Sequence, residues 1–200
     1  VLMGITMVIS VILALGIFMV LPFFLTNLMK GFLPSYSIRT LIEGIIRVAL
    51  FLIYIWLISK MEDIKRVFMY HGAEHKTINC LEHGEDLTPE NIKKYSRLHK
   101  RCGTSFLLIV MIVSIVVFMF IRVDSLVWKF VLRILLVPVV AGISYEFIRL
   151  AGSSESRIVS ILSRPGMMLQ HLTTRELFFR VHAIIYKLFK FEKIVKSVSY

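Results

Sequence analysis

Residues 2–29 read LMGITMVISVILALGIFMVLPFFLTNLM, a run without one charged side chain. A helix of that length exceeds the roughly 20 apolar residues that cross about 30 Å of hydrocarbon. A secretory signal core is about half as long and comes with a basic flank and a small-residue cleavage site, neither of which is present. The stretch is therefore read as a spanning helix, with Pro22 as its expected kink. The sequence opens on Val1 rather than Met, so the expectation is either a trimmed or processed chain or an N-terminal portion absent from it.

Three further stretches are long and apolar enough to span. TLIEGIIRVALFLIYIWLIS (40–59) carries Glu43 and Arg47, and SFLLIVMIVSIVVFMFI (105–121) carries no charge. LVWKFVLRILLVPVVAGISYEFIRLAG (126–152) contains Lys129, Arg133, Pro138 and Glu146. The chain of 200 residues is 57% hydrophobic with a mean hydropathy of +0.78, which excludes a soluble domain. The expected fold is an all-α integral membrane protein with about four transmembrane helices, a compact helical cytoplasmic metal-binding lobe and an amphipathic C-terminal tail. The expected divisions are 1–60 for the first two spans, 61–104 for the lobe, 105–152 for the last two spans and 153–200 for an interfacial tail.

The net charge of +11 would suggest nucleic acid in a soluble protein. Here the basic residues lie beside apolar spans, and no RNA-binding motif accompanies them, so they point to topology and anionic lipid headgroups. Lysine and arginine number two in 30–39, nine in 60–101, one at Arg122 and nine in 149–196. By the positive-inside rule both termini and residues 60–104 face the cytoplasm of a bacterial inner membrane. In that reducing compartment a disulfide between Cys80 and Cys102 is disfavoured and thiolate ligation is available.

The segment EDIKRVFMYHGAEHK is expected to extend the second span as a helix, with Gly84 marking a turn. In DLTPENIKKYSRLHK a second helix is expected, with Thr88 as N-cap, Pro89 at the first position and Glu90 in the first turn. The tail is expected to form amphipathic helices, the last capped by Thr174 and presenting Leu177, Phe178, Val181, Ile185 and Leu188 on one face.

Both cysteines and four of the six histidines fall within residues 71–102. His71-x-x-Glu74-His75 puts two imidazoles on one helical face, with Glu74 close enough to act as a general base: the inverted zinc-hydrolase pattern. Cys80-x-x-His83 and His99-x-x-Cys102 bracket a loop as paired ligands of a structural zinc do. The two patterns make two sites or pool into one. A closed site would use Cys80, His83, His99 and Cys102, while an open site at His71 and His75 needs a third ligand, for which Glu146 is the candidate. Its competing role is an ion pair with Arg149 at i+3. Glu43, Arg47, Lys129 and Arg133 line a polar pathway, pair between helices or, for the last two, snorkel to the interface.

YHGAEHKTINCLEHGEDLTPENIKKYSRLHKRCGTSFLLIVMIVSI, GISYEFIRLAG and RPGMMLQHLTTRE resemble the YqhQ-like family, bacterial integral membrane proteins of unknown function described as predicted metal-dependent enzymes. The resemblance runs from about Phe68 to Glu176. Its motif residues fall on His71, Glu74, His75, Cys80, Glu82, His99, Arg101, Cys102, Tyr145, Glu146, Arg149, Gln170, Thr173, Thr174, Arg175 and Glu176. It also implies a glycine-containing segment ahead of the first span, which this sequence begins too late to include, and an acidic tail where this one is basic and aromatic.

Two functions follow as expectations. One is a zinc-dependent hydrolase (one or two ions) at the cytoplasmic membrane face, with Glu74 as base and Arg101 or Arg175 orienting an anionic lipid or peptide. The other is a non-enzymatic transport, insertion or scaffold protein whose lobe is held by a structural zinc. Beyond the lipid bilayer no partner is implied, and nucleic acid is not expected.

Overall fold

The computed structural model describes residues 2–33, 35–123, 125–154 and 156–176, and all the regular structure among them is helical. Among the described residues, three helices are long and apolar enough to cross a membrane: Leu2–Leu28, Tyr36–Ile58 and Gly103–Phe120. The pair Val127–Leu135 and Val137–Ser153, bent by 44°, makes a fourth if it is one broken span. The chain divides into two units. The first contains the chain up to Tyr54 together with Phe106–Leu150; the second contains Ile55–Ser105 and the described residues from Ala151.

In the first unit, the opening span is α1 (Leu2–Leu15), a π-helical turn (Gly16–Val20) and α2 (Leu21–Leu28). Pro22 sits just after the π turn, and it has no N–H to offer the carbonyl of Phe18. The Leu21 N–H reaches back to the Gly16 carbonyl instead, widening the turn, and Arg47 Nε donates to the freed Phe18 carbonyl at 3.0 Å. The expected kink is thus realised as a π turn whose spare acceptor is filled from a neighbouring helix.

That neighbour is α3 (Tyr36–Ile58), which packs on α6 (Gly103–Phe120) through Gly44; a Cβ there would lie 2.3 Å from Ile115 Cγ1. Small residues at such crossings let helix backbones approach closely. The unit is apolar outside and buries polar side chains among apolar ones. No residue of α1 is buried, and Met3 is 87% exposed, whereas Thr26, Thr40 and Glu43 are buried. In water that apolar surface would be unstable; against lipid tails it is the ordinary arrangement. Glu43 accepts from Arg47 Nη2 at 3.0 Å and from Arg133 Nη2 of α7 (Leu126–Leu135). Pro138, near the start of α8 (Val137–Ser153), accounts for the helix break before it.

The second unit is built on α4 (Glu62–Glu82), α5 (Pro89–Lys94) and α9 (Arg157–Thr173). Glu62 and Asp63 in the first turn of α4 complement the helix dipole. Its C-terminus closes at Gly84, φ 73°: Gly84 N–H bonds the Leu81 carbonyl and Glu85 N–H the Cys80 carbonyl. That pairing is a Schellman motif, which needs the left-handed conformation glycine adopts readily. Thr88 caps α5, accepting from the Asn91 N–H at 3.3 Å, with Pro89 at its first position.

Two expectations on helix extent are corrected. The second span does not continue into α4: the helix ends at Ile58, and Met61 is extended with ψ 135°. Nor does the second lobe helix run to residue 100. It stops at Lys94, because side chains of other helices capture the carbonyls that further turns would use. Asn79 Nδ2 donates to Ser96 and Leu98, the His75 imidazole binds the Arg97 carbonyl, and Gln170 binds both main-chain groups of His99. Of the expected tail, α9 is helical to Thr173 and Thr174 is extended. The helix expected beyond Thr174 lies outside the described residues.

Candidate metal centre

His71 and His75 lie one turn apart on α4, with ring centroids separated by 4.3 Å. Each ring is fixed through Nδ1 by a main-chain carbonyl, Thr173 for His71 at 2.9 Å and Arg97 for His75 at 2.7 Å. A carbonyl can only accept, so Nδ1 carries a proton, which leaves Nε2 as the nitrogen a metal would take. His71 Nε2 lies 3.3 Å from Cys102 Sγ. Ligand atoms of His71, His75 and Cys102 all lie within 4.8 Å of one another, a group able to hold a metal ion.

Cys102 immediately precedes α6 and is buried. Its sulfur accepts from the Thr104 N–H at 3.4 Å, as an N-cap side chain does, and lies 3.1 Å from the Thr104 hydroxyl. Burial pushes the thiol up, but hydrogen bonds from His71, His75 and Thr104 outweigh it and hold the pKa at about 5. The bond to Cys102 raises His71 above its ordinary value of 6.5, against the opposing effect of burial. Without a metal the Cys102 thiolate holds a negative charge beside His71 and His75, and that is the charge a cation would balance.

The close packing around these residues has a visible cause. Gly72 faces the backbone of Arg175, and a Cβ there would stand 2.3 Å from the Arg175 oxygen. The Arg175 N–H bonds the Phe68 carbonyl at 2.9 Å, and Lys76 Nζ pairs with Glu176 at 2.8 Å. These contacts draw residues 173–176 across α4 and so deliver the Thr173 carbonyl to His71. Gln170, fully buried, ties α9 to His99 N–H (2.8 Å), His99 carbonyl (2.7 Å) and Ser105 Oγ (2.7 Å).

Of the other predicted residues, none in this unit joins this group. Cys80 is buried, and its S–H donates toward the carbonyls of Asp86 (3.7 Å) and Glu85 (4.0 Å). Burial and neighbouring Glu85 push its thiol up, so it is neutral. His83 is exposed, bonded to the Asn79 carbonyl at 2.7 Å and stacked 4.8 Å from Tyr95. His99 turns its Nε2 to Glu82 at 3.2 Å, although its ring lies 5.8 Å from His75. Cys80, His83, His99 and Cys102 are therefore not brought together as one four-ligand group. Glu74 is exposed and raises the His71 pKa by its charge. Glu146 is exposed and pairs with Arg149 at 2.8 Å.

Sequence reasoning missed Thr104 and the carbonyls of Arg97 and Thr173. Thr104 had a signal, a small polar residue just ahead of the apolar run that starts at Ser105. A main-chain carbonyl has none, because every residue carries one.

Residues 1–177 match the family described as "Protein of unknown function (DUF1385)". The chain is also similar to the "Uncharacterized protein YqhQ" of Bacillus subtilis, with 39% identity over 170 residues, 84% of this chain and 54% of that protein. It thus spans about half the length of that curated relative. No solved structure matches it.

Proposed function

We propose, from the premise that the chain belongs to the DUF1385 family of proteins of unknown function, that it is a zinc-binding membrane protein whose ligands are His71, His75 and Cys102. The observation that carries this is the pair of Nδ1–H bonds to main-chain carbonyls. Histidines that ligate metals characteristically donate their second ring N–H to a carbonyl or carboxylate, which fixes the tautomer and aims the free lone pair. Two imidazoles and a thiolate suit zinc, and three protein ligands leave a fourth position open, as catalytic rather than structural sites do.

The reading extends to a hydrolase at the membrane surface. Zinc bound there would supply Lewis acidity. Glu74, exposed beside His71, is the proton acceptor, and Arg101, 53% exposed in its side chain and 3.7 Å from Glu82, orients an anionic lipid or peptide substrate. The excess of lysine and arginine in residues 60–101 supports a cytoplasmic position for this unit, on a bacterial inner membrane.

Metal analysis of the detergent-purified chain by inductively coupled plasma mass spectrometry tests the ligand set. About one zinc per chain is expected in the wild type and in Cys80→Ser, and none in Cys102→Ser. Zinc retained by Cys102→Ser, or lost from Cys80→Ser, would overturn the assignment. Glu74→Gln should keep the zinc and the fold while abolishing hydrolysis of ester or peptide substrates. Loss of zinc or fold in that variant would remove Glu74 as a dedicated base.

A further inference from the structure

The first unit holds a second polar feature. Between the end of α2 and the starts of α3 and α7 lies a cavity of about 90 Å³, lined in part by Lys30, Arg39, Thr40, Glu43 and Lys129. Glu43 is the one carboxylate among its described lining residues, and both Arg47 and Arg133 already bind it. Among the described residues, one carboxylate there faces two guanidiniums, a surplus of positive charge that is costly to bury unless a counter-charge is supplied. Two guanidinium atoms, Arg39 Nε and Arg133 Nη1, are buried without a hydrogen-bond partner. Buried donors of that kind are rarely left unmade. The Lys129 ammonium lies 5.3 Å from the Phe23 ring and 5.1 Å from the Tyr36 ring, at the cavity's edge.

Tyr36, Thr40, Val123 and Lys129 also line a narrow space that Phe118 and Arg133 share. Those two residues then border an apolar cavity of about 220 Å³ walled by Phe18, Val110, Val137 and Val140. Cationic at one end and apolar at the other, the series matches an amphiphile with an anionic head.

We infer that the first unit binds one anionic phospholipid, its phosphate held by Arg39 with Lys30 and the free edge of Arg133, and an acyl chain laid along the cavity walled by Phe18 and Val140. Charge complementarity selects an anionic over a zwitterionic headgroup. The hydrocarbon wall selects a lipid over a free oxyanion.

Native mass spectrometry of the detergent-purified full chain, titrated with dioleoyl phosphatidylglycerol, dioleoyl phosphatidylcholine or inorganic phosphate, tests this. One phosphatidylglycerol is expected to be retained at lipid levels where phosphatidylcholine is not. Arg39→Gln should weaken retention by about tenfold, the effect of one charge-assisted hydrogen bond, and Arg39→Lys should restore part of it. Circular dichroism of both variants reads their helix content, so that a fold defect is distinguished from a lost ligand. Equal retention of the two lipids would overturn the proposal, as would unchanged affinity in a folded Arg39→Gln. Inorganic phosphate displacing the lipid at millimolar concentration would overturn it as well.

Discussion

At the scale of single residues, Cys102 and Cys80 show how far surroundings separate two identical thiols. Cys102 caps a helix beside two imidazoles, while Cys80 faces only carbonyl oxygens. In metal-free Cys80→Ser protein, thiolate ultraviolet absorbance should persist until the pH falls through about 5. The stability linked to Cys102 is complete above the ordinary thiol value of 9.0 and is lost as pH falls through about 5, because its folded pKa is depressed. The contribution of His71 runs the other way: with its folded pKa raised, it is complete below 6.5 and lost as pH rises through that higher value. Thiolate signal appearing only in alkaline solution would disprove the paired state. The sequence disclosed His71 and His75 through their one-turn spacing. It grouped Cys102 with Cys80 by symmetry of spacing, whereas the fold sets the Cys102 sulfur beside His71 and turns Cys80 toward the Glu85 and Asp86 carbonyls.

Among elements, the crossing of residues 173–176 over α4 governs the centre, and Gly72 governs the crossing. Gly72→Ala would place its methyl against the Arg175 carbonyl, and backbone cannot yield as a flexible side chain does. The expected cost is about 1–3 kcal/mol of stability, typical of overpacking, read as a lowered thermal midpoint. Zinc affinity should fall with it, since Thr173 moves with Arg175; an unchanged zinc titration would show that the carbonyl on His71 does not matter. The end of α4 and the start of α5 were legible because Gly84, Thr88 and Pro89 act through local geometry. The coil at 95–102 was not, because Asn79, His75 and Gln170 impose it from elsewhere in the chain.

For the whole molecule, the spans were legible because uniform apolarity needs no partner to be recognised. The interior of the first unit was not, since a helix that is apolar all round gives no sign of which face meets its neighbours. Charge distribution predicts orientation. Glu85→Cys in the Cys80→Ser background should react with a membrane-impermeant maleimide in inside-out vesicles and resist it in right-side-out ones. Phe32→Cys in the same background should do the reverse. Glu85 and Phe32 are both exposed, so access to the reagent is set by the membrane and not by packing. Labelling of the two positions from the same side would reject the topology.

The proline of the first span has an effect that reaches beyond its own turn. A smooth apolar cylinder in lipid has no preferred rotation about its long axis, since every face is equally at home. By leaving the Phe18 oxygen unclaimed, Pro22 cuts a single notch in that cylinder, and the Arg47 guanidinium is the tooth that enters it. The first span is thereby indexed to the third helix like a keyed shaft. A residue at position 22 with an N–H of its own would fill the notch and let the shaft turn.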